Sequence, residues 1–126
     1  MKYLFCHILL YASVTCCFGQ SQKIIIHFPF DSYSLTPSEV KILDSFIRAV
    51  PKTALLISGH TDSKGSNQYN ERLSKKRVDA VKNYLTAHVY LPELITPSSF
   101  GETQLIDPND EDEEKGLVNR RVEIVW

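Results

Sequence analysis

The residue that most needs a chemical explanation is Arg77. It falls within the apolar stripe of a long helical segment, four residues after Leu73 and four before Val81, with Ala80 and Tyr84 on the same side. A guanidinium cannot shed its charge, and burying it without a partner is costly. It therefore needs an anion, or a route to solvent at the edge of whatever the helix packs against. Asp62 lies fifteen residues earlier, in a polar segment following an apolar run. Two readings follow. Asp62 and Arg77 could form an ion pair that ties helix to loop, as structural ion pairs commonly do. Alternatively, both stand at the rim of one pocket, where a carboxylate holds an ammonium and a guanidinium holds a carboxylate through paired N–H groups. A ligand with a zwitterionic amino-acid head would suit the second arrangement.

Other residues invite catalytic readings and support them poorly. His60 and Asp62 are two apart, and His27 and His88 lie elsewhere. No pair has the four-residue helical spacing of a zinc protease. A Ser74, His60 and Asp62 triad has no nucleophile elbow to present it. His60 reads better as a hydrogen-bonded structural histidine. Neither a catalytic group, a metal site nor a cofactor is expected. The stretch Asp107 to Glu114 carries six acidic residues in eight. Like charges repel and stay hydrated, so it reads as a solvated loop, with a cation or partner-protein site as the competing reading.

These side chains need a scaffold. Lys23-Ile24-Ile25-Ile26-His27-Phe28 is β-branched and aromatic and reads as a strand. Thr36-Pro37-Ser38-Glu39 announces a helix, with Thr36 as cap, Pro37 at the first position and Glu39 completing a capping box. Val40, Leu43, Ile47 and Val50 follow at helical spacing, joined by Ile42 and Phe46, until Pro51 stops the helix. Ala54-Leu55-Leu56-Ile57 is a continuous apolar run, suited to a strand covered on both faces. A second helix is expected from about Asn67 to about Ala87, a third strand near Leu94 to Phe100, and an alternating last strand over Arg121-Val122-Glu123-Ile124-Val125. The order β-α-β-α-β-β implies an α+β two-layer sandwich, two helices on a mixed four-stranded sheet, with the last two strands paired as a wide hairpin.

The first residues belong to a different grammar. Met1-Lys2 gives a positive start, Tyr3 to Phe18 carries no charge, and small residues Cys17 and Gly19 flank a cut site. Residues 1–19 are therefore expected to be a secretory signal peptide, since a membrane span needs roughly 20 apolar residues. An uncleaved anchor and lipidation at Cys16 or Cys17 are the competing readings, although Ser13-Val14-Thr15 is a poor lipobox. The chain's three cysteines, Cys6, Cys16 and Cys17, all fall here, so residues 20–126 hold no thiol and no disulfide. Those residues suffice for one modest core. Hydrophobic content of 43% and charged content of 23% are globular values, and a formal charge of −1 offers nucleic acid no basic surface.

Gly59-His60-Thr61-Asp62, Gly65, Tyr69-Asn70-Glu71-Arg72-Leu73-Ser74-Lys75-Lys76-Arg77 and Asn119-Arg120-Arg121-Val122-Glu123-Ile124 come in this order along the chain. Together they resemble the signature of the OmpA-like domain family, shared by OmpA C-termini, the peptidoglycan-associated lipoprotein and the flagellar stator protein MotB. The resemblance runs from the first strand to the last residue. It implies non-covalent binding of peptidoglycan through the meso-diaminopimelate of its stem peptide, tethering envelope components to the wall. By position, Asp62 would take the ammonium and Arg77 the carboxylate. Asn70 would add an amide contact, Thr61 would shape the pocket, and Arg120 would close it. The implied location is the periplasm or the outer-membrane-associated envelope, with other envelope proteins as further partners. A protein-interaction module without wall binding is the alternative, and a wall-degrading or metal-dependent enzyme is disfavoured.

The chain departs from the family pattern in places. Val78 stands where the family commonly has alanine, which is expected only to adjust packing, and Tyr33 stands near where relatives often carry a small polar residue, so the pocket rim is expected to differ. The usual proline after Gly101-Glu102 is absent.

Overall fold

A computed structural model describes residues 19–88 and 90–126. The expected signal peptide and all three cysteines lie outside the described residues, apart from Gly19 at the expected cut. Four strands and three helices follow one another as β1 (Lys23–His27), α1 (Pro37–Ala49), β2 (Leu55–Gly59), α2 (Asn67–Ala87), β3 (Ile95–Ser99), α3 (Glu113–Asn119) and β4 (Arg121–Val125), with a short 3₁₀ turn at Pro92–Leu94. The sheet order is β1-β4-β2-β3. β4 runs antiparallel to both β1 and β2, and β2 pairs in parallel with β3. The α+β fold on a mixed four-stranded sheet is the expected one.

Two features of the topology differ from expectation. The last two strands do not form a hairpin: β4 inserts between β1 and β2, while β3 takes the far edge. Pro97 supplies a reason, because a residue without an N–H fits an edge strand and not a central one. β4, with Val122 and Ile124 fully buried, can fill the centre. The parallel β2–β3 pair is bridged by α2, as a parallel connection requires. The second difference is α3, which occupies the end of what the acid run suggested was solvated loop. Asp112 caps it by accepting from Lys115 N at 2.8 Å.

The core lies between the sheet and the helices. Ile26, Leu55, Ile57, Val122 and Ile124 from the sheet, with Phe28 just beyond β1, meet Leu43, Phe46, Val78, Val81 and Leu85 from α1 and α2. Burying each large side chain contributes about 1.5–3 kcal/mol. Phe46 stacks on Tyr90 at 5.9 Å and meets Trp126 edge-on at 5.0 Å. Only one face of the sheet is covered by these helices: Leu56 is 60% exposed, so β2 is not the doubly buried strand its apolar run suggested. Ile42, at 40% exposure, likewise stands outside the core face of α1.

The helix starts follow different rules. Ser66 caps α2 by accepting from Tyr69 N at 3.2 Å, directly after Gly65 at φ +97. α1 has no such side-chain cap, and the expected capping box is not formed. Glu39 instead accepts from His27 N at 3.0 Å, satisfying an N–H at the end of the edge strand β1.

Candidate functional site

β2 ends in Gly59, which is where the sheet and α2 come closest. A Cβ there would stand 2.4 Å from Ser74 O, so only glycine lets the helix lie this near. The chain then runs through His60, Thr61 and Asp62, all buried, before reaching α2. Thr61 N donates to Gly101 O at 2.9 Å, and Thr61 Oγ1 donates to Asp62 O at the same distance. Asn70, 1% exposed on the first turn of α2, gives Nδ2 to Asp62 O at 3.4 Å. Its Oδ1 is buried without a protein partner.

The carboxylate of Asp62 has two neighbours. Oδ1 accepts from Lys64 N at 3.2 Å, and Oδ2 accepts from Arg120 Nη1 at 3.4 Å. Arg120 is fully buried; its Nε donates to Phe28 O at 3.0 Å and its Nη2 to Glu113 Oε1. Gly116 on α3 leaves room for this guanidinium, since a Cβ there would sit 2.7 Å from Nη1.

Arg77 is also fully buried, but not against Asp62. Its Nε donates to Ser32 O at 2.8 Å, Nη1 to His60 O at 3.0 Å and Nη2 to Pro29 O at 3.3 Å. The guanidinium lies 5.3 Å from the centre of the Phe28 ring. The expected ion pair with Asp62 is therefore corrected: Arg77 braces the β1–α1 loop to the exit of β2 through main-chain carbonyls, and Asp62 pairs with Arg120. Burial pulls the Arg77 guanidinium down to about 10, with the Asp62 charge opposing the shift and the Arg120 charge adding to it, and it stays charged at neutral pH.

Above these residues opens a cleft of about 360 Å³ between the β1–α1 loop and the start of α2. Phe30, Asp62, Lys64, Gly65, Tyr69 and Leu73 line it together with Asp31. Of the five residues singled out from sequence, Asp62 lines the cleft. Thr61 and Asn70 contact the Asp62 main chain, and the two arginines lie buried around it. Two other depressions match or exceed the cleft in size, at about 380 and 560 Å³, and neither contains any of the five.

Residues that sequence reasoning left aside turn out to hold the loop. Asp110 is 2% exposed and accepts from Ser63 N at 2.8 Å, from Ser63 Oγ, and from Asn119 Nδ2 at 3.0 Å. Burial raises its carboxyl, but these hydrogen bonds outweigh that and leave it below the usual carboxylate range. Asn119 Oδ1 in turn accepts from Ile106 N at 2.7 Å and Asp107 N at 3.1 Å. The acidic stretch is thus partly a fastener for the Asp62 loop. The only signal for it in the sequence is Asn119, standing immediately before Arg120.

His60 and Ser74 are occupied structurally. His60 N donates to Arg121 O at 2.8 Å, and its ring stacks on Phe100 at 5.5 Å with Nε2 3.1 Å from Ser58 Oγ. Ser74 Oγ donates to Glu71 O at 2.8 Å and accepts from Gly101 N at 3.0 Å. Among the described residues no three His, Cys, Asp or Glu side chains come together as a metal site.

Residues 27–118 match the OmpA family. The chain is 38% identical over 86 residues to a peptidoglycan-associated lipoprotein of Pasteurella multocida, covering 66% of this chain and 57% of that protein. It is 37% identical over 104 residues to outer membrane porin F of Pseudomonas fluorescens, covering 80% of this chain and 32% of that one. The chain thus spans about half and about a third of these relatives. The crystal structure of the peptidoglycan-associated lipoprotein from Burkholderia pseudomallei superposes with a TM-score of 0.72 at 29% identity, covering 80% of this chain and 87% of that one.

Proposed function

The chain belongs to the OmpA family, and on that premise we propose that it binds bacterial peptidoglycan non-covalently through the diaminopimelate residue of the stem peptide. The observation that carries this reading is the Asp62 carboxylate in the wall of an open cleft, backed by Arg120 and held in place from its main chain by Asn70. The ligand's ammonium would meet Asp62, with the unpartnered Oδ1 of Asn70, on the first turn of α2, as a further acceptor beside the loop. Its carboxylate would sit in the field of Arg77, whose two terminal nitrogens each keep one more N–H beyond the bonds to His60 O and Pro29 O. Low dielectric around these groups strengthens both contacts. Thr61 fixes the loop, and Arg120 sets the position of the acceptor.

This is recognition without a reaction, and no group in the cleft needs to change its covalent state. An exported protein of this kind would tether envelope components to the wall, in the periplasm or at the outer membrane. Co-sedimentation with purified cell-wall sacculi tests the reading. The protein should pellet with the sacculi and Asp62→Asn should remain in the supernatant; a wild-type protein left in the supernatant would contradict it.

A further inference from the structure

Beside the cleft lies a smaller hollow of about 60 Å³. Asp31, Tyr69 and Leu73 line both, so the two share a wall. Tyr69 donates its hydroxyl proton to Asp31 Oδ1 across that wall. Asp31 itself sits at φ +51, in the left-handed region that aspartate tolerates better than most residues.

On the far side of this wall the lining becomes cationic. Arg72 and Lys76 are four apart on the exposed face of α2, and both line the hollow. Among the described residues neither has a carboxylate within ion-pair distance. Lys75, between them in sequence, is satisfied by Asp79 at 3.0 Å. Lys76 Nζ stands 5.0 Å from the centre of the Tyr33 ring, which lines the same hollow. Two unpaired cations at this spacing repel each other, and an anion between them relieves the repulsion. Asp31 is the one acid in the lining, and its Oδ1 is already engaged by Tyr69.

From this geometry we infer that the Arg72–Lys76 hollow is a subsite for a second carboxylate of the same stem peptide, carried by a residue flanking the diaminopimelate. The inference rests on the proposed function, because a stem peptide gripped at Asp62 must leave the cleft past the Tyr69–Asp31 wall or away from it. Tyr33 supplies one side of the hollow.

A cycle between ligand and protein tests it. The protein and its R72Q/K76Q variant are titrated with diaminopimelate muropeptides whose flanking carboxylates are free, or are amidated one at a time. Thermal melting first establishes that both proteins are folded. For one flanking carboxylate, amidation should weaken wild-type binding about threefold, the scale of exposed charge pairs, and should cost R72Q/K76Q nothing. Equal losses in both proteins, or no loss in either, would overturn the subsite while leaving diaminopimelate binding intact. Absence of wild-type binding to every muropeptide would overturn the underlying reading and the subsite with it.

Discussion

Arg120 Nη1 lies 3.4 Å from Asp62 Oδ2, inside a protein interior that leaves the guanidinium no exposed surface. The same side chain holds Phe28 O, and Phe28 N returns a bond to Arg120 O at 2.9 Å. The acceptor proposed for the ligand's ammonium is thereby tied to the end of β1, to β4 and, through Glu113, to α3. Arg120→Met should leave a nearly buried carboxylate and a main-chain carbonyl without their donor. The expected loss of stability is about 3–5 kcal/mol, read by urea denaturation. A loss below about 1 kcal/mol, the scale of surface pairs, would mean that Arg120 does not organise the loop.

Arg77 makes a separate prediction. Removing its guanidinium strands the carbonyls of Ser32 and His60, each unsatisfied group costing about 1–3 kcal/mol, while Pro29 O keeps its bond from Ser32 N. Arg77→Met is expected to lower stability by at least about 2 kcal/mol. Arg77→Lys should recover only part of that, because an ammonium lacks the planar fork that reaches three divergent carbonyls. Thermal melting of both variants checks the order wild type, Lys, Met.

Gly59→Ala should be destabilising for a steric reason. The added methyl would meet Ser74 O at 2.4 Å and Val78 Cγ2 at 2.5 Å. Backbone on one side and a packed β-branched side chain on the other leave α2 to move away from β2, at a cost of about 1–3 kcal/mol. Combining it with Val78→Ala removes one of the two clashes. The double variant should therefore recover less than the full loss when both are measured by denaturation.

The acid limb of stability should carry the signature of His60. Burial, helped by the Arg121 charge, lowers this imidazole from 6.5 to about 4. The unfolded chain therefore takes up a proton between those values that the folded chain refuses. Stability from this group is complete above pH 6.5 and is lost as pH falls towards 4, with a slope of at most about 1.4 kcal/mol per pH unit. His60→Gln should flatten that part of a stability–pH curve. An unchanged slope would show that His60 titrates normally in the folded protein.

Much of the scaffold was legible in the sequence because its signals are local. The stripe of Leu73, Ala80, Val81 and Tyr84 marks α2, whose observed bounds Asn67–Ala87 match the expected ones. The β-branched run at Lys23–His27 and the alternation over Arg121–Val125 give β1 and β4. Strand neighbours were less accessible, since the insertion of β4 between β1 and β2 is a long-range choice. Pro97 was the available clue that β3 belongs at an edge. Which arginine pairs with Asp62 could not be read from spacing. Arg77 stands fifteen residues from Asp62 and Arg120 fifty-eight, yet packing gives the carboxylate to Arg120 and main-chain carbonyls to Arg77. Main-chain acceptors leave no mark in a sequence. α3 was hidden because its seven residues make only about two turns, too few for an apolar repeat to stand out, and its capping aspartate sits in a run of acids.

The central claim is tested most directly by calorimetric titration of the protein with a meso-diaminopimelate muropeptide, alongside Asp62→Asn. That substitution keeps the side chain's size and an oxygen for Lys64 N, and it leaves the Arg77 clamp untouched. Truncating a charged partner in a desolvated site costs about 2–5 kcal/mol, enough to erase a micromolar signal. Binding heat from the wild type that vanishes in folded Asp62→Asn is the predicted result. No heat from folded wild-type protein at millimolar muropeptide, or equal heat from both proteins, would contradict it.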